Sequence, residues 1–268
     1  MKRVLITGAG GGIGRSLRET LRGLYPILRL SDRVALAPAR EGGGSRSHRT
    51  LRYAGRRADG CRCRRHHPSR RHLGRERVAG DPRRKHYRPL QCLRGSTPRQ
   101  RPAHRLRHEQ PRGRLHPRAQ KIDHRVVPRP DSRYGVSKAF GEALASLYSD
   151  KHGIGVLCTR IGNFGEKPID KRRLSIWISP RDYTQLVRIG LEHPDIRYEI
   201  VYGVSNNRRS WYDNSNATRL GYRPQDDSEP YADAVLAAEA GQPADPIAEH
   251  HQGGTFCAAE YTAKTPRS

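Results

Sequence analysis

The sequence is most informative at residues 3–14, which read Arg3-Val4-Leu5-Ile6-Thr7-Gly8-Ala9-Gly10-Gly11-Gly12-Ile13-Gly14. The apolar run at the start predicts a buried strand. The residues that follow predict a helix with Leu17, Leu21 and Leu24 on one face. Strand, glycine turn and helix in this order are typical of a dinucleotide-binding unit.

Each glycine of this turn has an expected role. Gly8, Gly11 and Gly14 allow a tight turn and a close approach of the backbone to a pyrophosphate. Gly12 and Ile13 begin the predicted helix, whose free N–H groups and positive dipole end attract phosphates. We therefore predict that these five residues bind a dinucleotide cofactor.

The nature of the cofactor is predicted from the next apolar run, residues 27–30, which is followed by Asp32. A carboxylate at this position accepts hydrogen bonds from the ribose hydroxyls and repels a 2′-phosphate, which favours NAD over NADP. A glycine cluster alone also fits a flexible turn. The strand before it, the helix after it and the acid about 20 residues further on together favour dinucleotide binding.

A candidate catalytic pair lies in the second half of the chain. Tyr134 and Lys138 are four residues apart in a stretch with helical character from Ser132 through Tyr148, so they share one helix face. A nearby ammonium and a cationic nicotinamide both favour the phenolate form of a tyrosine, which then acts as a base. Such a pair on its own fits a solvated helix face, but downstream of a dinucleotide motif it favours catalysis, and we expect Lys138 to bind the cofactor as well.

Residues 41–118 differ from the rest of the chain in charge and composition. They contain 23 Arg and one Lys against five acidic residues, which is +19 of the total formal charge of +26. They contain no Ile, Phe, Met or Trp and a single Val, so they lack the residues that build buried strands. We expect this stretch to be irregular, or helical by default, because its apolar surface is too small to offset the entropy of ordering.

The rest of the chain has the composition of an ordinary soluble enzyme. The five Cys are unevenly placed and imply no disulfide framework, and we find neither a signal peptide nor an apolar run that could cross a bilayer. We therefore expect a cytoplasmic protein without a membrane partner. We divide it into a nucleotide-binding start (residues 1–34), an Arg-rich segment (residues 35–118), and a catalytic and substrate-binding region (residues 119–268).

The two motifs together carry a family resemblance. The pattern Thr7-Gly8-x-x-Gly11-x-x-Gly14 with Tyr134-x-x-x-Lys138 resembles the extended short-chain dehydrogenase/reductase superfamily, which includes NAD-dependent epimerases and dehydratases. The second half is most similar to the bacterial NAD-dependent uronate dehydrogenases, through segments such as Arg129-Pro130-Asp131, Leu174-Ser175-Ile176-Trp177, Trp211-Tyr212-Asp213-Asn214-Ser215 and Gln252-Gly253-Gly254-Thr255-Phe256. The resemblance covers residues 1–34 and about 117–257.

This resemblance implies a Rossmann-like α/β fold, with a doubly wound parallel sheet and a small C-terminal substrate region. It also implies NAD as cofactor, a homo-oligomer, and a hexuronate such as galacturonate or glucuronate as substrate, oxidised at C1 to an aldarolactone. Arg172 stands where the family places the arginine that binds the substrate carboxylate through two parallel hydrogen bonds. Asn163 stands where the family has a small polar residue near cofactor and substrate, although Phe164 departs from the family pattern. Without the resemblance, Arg172 would be interpreted as a solvated loop arginine.

The family pattern also requires three more parallel strands, a Ser-Asn-His cluster and a Gly-Gly loop, none of which is found in residues 41–118. Translation of a GC-rich gene one base out of frame explains this segment, because it produces Arg, Pro, His and Gly codons. Stepping one base forward, residues 102–115 can become Arg-Pro-Ile-Val-Phe-Ala-Met-Ser-Asn-His-Ala-Val-Gly-Phe, with the missing serine encoded across Glu109 and Gln110. The upstream shift then lies between Asp32 and about Arg57. We expect the central strands to be missing or disordered in this translation and its activity to be low.

Three alternatives remain open at this point. Cys61 and Cys63 with His66 and His67 suggest a metal site, but their spacing is not that of a common zinc module. A basic nucleic-acid-binding protein on a Rossmann remnant is disfavoured, because the Arg residues lack interleaved aromatics; non-specific binding to phosphate backbones is still expected. The third alternative is another NAD-dependent sugar epimerase or dehydratase.

Overall fold

The computed structural model describes residues 3–32, 34, 36, 105–109 and 114–262, with residues 105–109 described by their backbone alone. The strands are β1 (Arg3–Thr7), β2 (Ile27–Ser31), β3 (Arg105–Glu109), β4 (Val156–Ile161), β5 (Asn163–Phe164), β6 (Trp177–Ile178) and β7 (Tyr198–Gly203). The helices are α1 (Gly12–Thr20), α2 (Arg133–His152), α3 (Arg173–Ile176), α4 (Pro180–Glu192), α5 (Ser215–Arg219), α6 (Ala232–Glu239), α7 (Pro246–His250) and α8 (Thr255–Ala258), with a 3₁₀ turn at Glu229–Tyr231.

The first unit is the predicted strand, turn, helix and strand. β1 and β2 pair in parallel, with Arg3 opposite Ile27, and their alternate residues are buried. The prediction that Leu24 lies on the helix face is wrong, because α1 ends at Thr20 and Leu24 is 48% exposed. The chain turns away from the helix at Gly23, which has a φ of +80°.

The second unit is a parallel sheet in the order β3-β4-β7. All six residues of β4 are buried, as expected for the central strand of a parallel sheet. Strand β3 lies inside the Arg-rich segment, so the expectation of irregular or helical structure is wrong for residues 105–109. The physical reason is that β3 pairs in parallel with β4 through backbone N–H and C=O groups. Every residue except Pro has both groups, so a strand can form here despite the unfavourable composition.

Helix α2 packs on this sheet and carries the predicted catalytic pair. The Ser132 side chain caps the helix by accepting a hydrogen bond from the Gly135 N–H at 3.2 Å. Gly153 ends it with a φ of +63°, so the helix runs one turn beyond the predicted Tyr148. Its buried face contacts the residues that lead into β4 and those of β4 itself, in a cluster of Leu144, Ala145, Tyr148, Ile154, Val156 and Cys158.

One buried cluster connects the first unit to the second half of the chain. It contains residues of β1, β2 and α1 together with Leu157 and Ile161 of β4, Tyr183 and Leu186 of α4, and Val201 of β7. The glycine turn is therefore held against the same core as the sheet that supports α2. Within the described part of the chain, no helix is both long enough and apolar enough to span a membrane.

Candidate functional site

The glycine turn is tied to the end of β2. The Gly8 N–H donates to the Ser31 carbonyl at 2.8 Å, and Gly8 has a φ of +71°. Gly14 lies where α1 passes the turn, and a Cβ there would be 2.3 Å from the Gly8 carbonyl oxygen. Glycine is therefore required at both positions, at the first by conformation and at the second by close approach.

The surface of this turn fits the pyrophosphate of a dinucleotide. Gly11 is the N-cap residue of α1, and Gly12 and Ile13 form its first turn, which contains no acidic side chain. A Cβ built on Gly12 would meet nothing within 4 Å, so the backbone there faces open space. N–H groups at the start of a helix, next to such space, suit an anionic ligand.

Asp32 lies beside this turn. Its Oδ2 accepts a hydrogen bond from the Gly10 N–H at 2.8 Å, and its Oδ1 accepts one from the Val34 N–H at 3.3 Å. The sequence did not predict the role of Gly10, where a Cβ would lie only 3.2 Å from the Asp32 carboxylate. The structure thus holds the predicted ribose-binding carboxylate at the carboxyl end of β2, next to the glycine turn.

Tyr134 and Lys138 lie together at the start of α2. The Lys138 Nζ is 5.0 Å from the centre of the Tyr134 ring. The tyrosine is 42% exposed, so a substrate can reach its hydroxyl. Asp131 lies just before the capping residue Ser132. Its side chain is buried and accepts a hydrogen bond from the Ser132 hydroxyl at 2.8 Å, which anchors the start of the helix.

Arg172 lies just before α3 and is held by the C-terminal part of the chain. Its Nε donates to the Gln252 carbonyl oxygen at 2.7 Å. Gly254 packs so closely that a Cβ there would lie 2.6 Å from the Arg172 Cδ. Among the described residues, no carboxylate forms an ion pair with Arg172, although it is partly buried.

Two further arginines lie near Arg172, and both have anionic partners. Arg114 pairs with Asp131 at 3.0 Å, and Arg118 pairs with Glu249 at 3.0 Å. Burial and the positive charges of Arg114 and Arg118 lower the pKa of Arg172 to about 10. This guanidinium therefore carries a charge that is unfavourable in its surroundings and that an external anion would stabilise.

Asn163 occupies the short strand β5, where it lies opposite Trp177 of β6. It is partly exposed, and its chain segment follows directly on β4. Gly162 between the two strands approaches α3 closely, since a Cβ there would lie 2.1 Å from the Ile176 carbonyl oxygen. Asn163 is thus placed beside the segment that begins with Arg172 and α3.

The predicted residues form three groups: the glycine turn with Asp32, the pair on α2, and Arg172 with the neighbouring segment of Asn163. Sequence reasoning missed Arg114, Arg118 and the carbonyl of Gln252, because a lone arginine or a backbone atom has no sequence pattern. Among the described residues, no cluster of three or more His, Cys, Asp or Glu is placed to hold a metal ion. Cys61, Cys63, His66 and His67 lie outside the described residues.

Known proteins were compared with this chain in sequence and in structure. The uronate dehydrogenase of Pseudomonas putida is 36% identical over 274 residues, which is 96% of each chain. The crystal structure of a glucuronic acid dehydrogenase from Chromohalobacter salexigens is 30% identical and superposes with a TM-score of 0.78, covering 96% of this chain and 97% of the other. No family model matches the sequence.

A second solved structure shows a cofactor. It is a tyrosine-to-alanine mutant of the uronate dehydrogenase from Agrobacterium tumefaciens, in complex with NAD. It is 26% identical, has a TM-score of 0.69, and covers 96% of this chain and 97% of its own. These similarities confirm the predicted Rossmann-like fold class and the predicted cofactor.

Proposed function

This chain belongs to the uronate dehydrogenase family, and from that premise we propose that it oxidises a hexuronate such as galacturonate or glucuronate at C1 to an aldarolactone, with NAD as the oxidant. The observation that carries the proposal is the guanidinium of Arg172. It is partly buried, its Nε is held by the Gln252 carbonyl at 2.7 Å, and it has no carboxylate partner among the described residues. The carboxylate of a uronate supplies the missing negative charge, which a neutral sugar does not.

Each of the predicted site residues has its own role in the reaction. Tyr134 accepts the proton of the C1 hydroxyl, and Lys138, whose Nζ lies 5.0 Å from the ring centre, stabilises the phenolate by its positive charge. Arg172 orients the sugar through its carboxylate. Asp32 and the glycine turn hold the cofactor. NAD, when bound, supplies the acceptor for the hydride that leaves C1. Asn163 lines the space between cofactor and substrate.

We also propose that residues 41–118 are translated out of frame. Arg114 supports this, because its side chain is 5% exposed and its buried Nε has no hydrogen-bond partner among the described residues. The shifted reading places Gly at this position and the catalytic serine across Glu109 and Gln110. The three-part division of the chain, the homo-oligomer and the cytoplasmic location stay predictions.

The test is NADH formation from galacturonate and glucuronate, measured by absorbance with the purified chain and with the product of a frame-corrected gene. We expect uronate-dependent NADH formation from the corrected product, and none with glucose. Epimerases and dehydratases return the hydride to the sugar and form no net NADH, so chromatography of the product from a UDP-sugar tests that alternative. If the corrected product fails to reduce NAD with both galacturonate and glucuronate, the proposed function is wrong. An uninterrupted reading frame on resequencing of codons 33–118 would refute the frame shift.

A further inference from the structure

The contact between Arg172 and Gln252 decides which edge of the guanidinium is open to a ligand. A guanidinium binds a carboxylate with two parallel hydrogen bonds, either through Nε and one Nη or through the two Nη atoms. The Arg172 Nε already donates to the Gln252 carbonyl at 2.7 Å. Only the edge formed by the two Nη atoms is left for a two-point contact with a carboxylate.

Gln252 is fixed from several directions. Its side chain is 1% exposed, and its Nε2 donates to the Gln120 carbonyl at 2.9 Å and to the Pro117 carbonyl at 3.2 Å. Its backbone N–H donates to the His116 carbonyl at 2.9 Å. The carbonyl that Gln252 presents to Arg172 is therefore part of a rigid arrangement and does not belong to a mobile loop.

The acceptor on Gln252 is neutral, and this matters for recognition. A carboxylate in its place would pair with Arg172 and weaken its attraction for a substrate anion. The same neighbourhood supplies carboxylates to Arg114 and Arg118, from Asp131 and Glu249, but in the part of the chain that the structure describes none is ion-paired with Arg172. Arg172 is thus oriented without being neutralised.

We propose that Gln252 is a positioning residue. Its backbone carbonyl orients Arg172 so that the two Nη atoms donate two parallel hydrogen bonds to the substrate carboxylate. The inference rests on the proposed function and deepens it, because it assigns the origin of the preference for an acidic sugar. Gly254 belongs to the same arrangement. Its φ is +63°, and any side chain there would displace the Arg172 Cδ, from which a Cβ would be 2.6 Å away.

The test is equilibrium dialysis of radiolabelled glucuronate and glucose against the full-length chain in the presence of NADH, which prevents turnover. The variants are Gln252→Met, which keeps the length of the side chain but removes both donors, Gly254→Ala and Arg172→Met. Gln242→Met is the matched control, because Gln242 is an exposed glutamine. Binding of NADH to each variant reports whether the fold is intact.

Gln252→Met keeps the backbone carbonyl that accepts from the Arg172 Nε but removes the side-chain hydrogen bonds to Pro117 and Gln120 that fix it. We expect the displaced carbonyl to weaken glucuronate binding roughly tenfold and to leave glucose binding unchanged. Gly254→Ala should do the same, and Gln242→Met should resemble the parent chain. A merely structural role would weaken both sugars equally, so the ratio of the two affinities is the decisive quantity. If Gln252→Met no longer binds NADH, Gly254→Ala decides.

Two results would overturn the inference, and they differ. If Arg172→Met loses the preference for glucuronate while Gln252→Met and Gly254→Ala keep it, the positioning role is wrong and the proposed function stands. If the parent chain binds glucuronate no better than glucose, the positioning role fails, and the proposed substrate fails as well when the frame-corrected product does not reduce NAD with either uronate.

Discussion

The carboxylate of Glu142 binds the guanidinium of Arg160 through two hydrogen bonds of 3.1 Å each, and both side chains are buried. Glu142 lies one turn beyond Lys138 on α2, and Arg160 lies on the central strand β4. Burial alone lowers the pKa of Arg160, but the hydrogen bonds and charge of Glu142 raise it on balance. The pair thus fixes the helix that carries Tyr134 and Lys138 against the sheet.

Breaking this pair should be strongly destabilising. Replacing Glu142 by Ala leaves an uncompensated buried charge, which costs about 3–5 kcal/mol, measured as the free energy of unfolding in urea. The double variant Glu142→Ala with Arg160→Met should lose less than the sum of the single variants. Arg209 and Glu229 form a similar two-point pair at the surface. Replacing Glu229 by Ala is the control and should change stability little; equal losses at both sites would contradict the importance of burial.

The glycine turn offers a comparison between two neighbouring glycines. Gly14→Ala should destabilise the protein by about 1–3 kcal/mol, because its Cβ would lie 2.3 Å from the Gly8 carbonyl oxygen. Gly12→Ala should be tolerated, because its Cβ meets nothing within 4 Å and alanine favours a helix. Thermal unfolding of the two variants tests this. Equal melting temperatures would contradict the close approach at Gly14.

Asp32→Asn should reduce the discrimination between NAD and NADP. The amide oxygen can still accept the Gly10 N–H, which the carboxylate accepts at 2.8 Å, so the turn is retained. The negative charge that repels a 2′-phosphate is lost, and we expect NADPH to gain about tenfold in affinity relative to NADH. Fluorescence titration with both cofactors measures the ratio. An unchanged ratio would show that Asp32 does not face the ribose.

Uronate binding should depend on the charge of Arg172. Burial and the neighbouring Arg114 and Arg118 lower the pKa of Arg172 to about 10, so the guanidinium is charged below that pH. Affinity for glucuronate should be constant up to about pH 9 and fall through pH 10, whereas affinity for glucose should not show this fall. The stability of the fold depends on pH in the opposite direction to the affinity for glucuronate. Between pH 10 and the ordinary pKa of arginine, the folded state binds fewer protons than the unfolded state, so the contribution of this group is unfavourable below pH 10 and is relieved as the pH rises. Dialysis from pH 8 to 11 tests the first statement.

Frame correction should increase turnover strongly. Tyr134 and Arg172 lie on or beside elements supported by β4 and its neighbours, and the uncorrected chain lacks the serine and the Gly-Gly loop of the family pattern. A displacement of about 1 Å at a reacting group costs about 10²-fold in rate. We expect turnover of the corrected chain to exceed that of the uncorrected chain by at least this factor. The Lys138→Met variant of the corrected chain is the control for uncatalysed NADH formation. Equal turnover of both chains would show that residues 41–118 are not needed.

Much of the local structure could be predicted from the sequence. Strands β1 and β2, the glycine turn and most of helix α2 were predicted from hydrophobic periodicity and the glycine pattern, because these signals act over a few residues. The error at Leu24 has a local cause too: the apolar pattern continues past Thr20, where the helix ends, and the chain turns away at Gly23. The strand in residues 105–109 could not be predicted from the composition of its segment, because it depends on parallel pairing with the distant strand β4.

The chemistry of the substrate-binding group depends on contacts between distant parts of the chain. The sequence, read with its family resemblance, predicted Arg172 as a substrate-binding residue, Asp32 as the determinant of the cofactor, and Tyr134 with Lys138 as the catalytic pair. It contained no sign that Arg172 would lie near Arg114 and Arg118, or that Gln252, 80 residues away, would occupy its Nε. Charge and orientation of a buried group depend on every group packed around it, and only the tertiary structure brings these together.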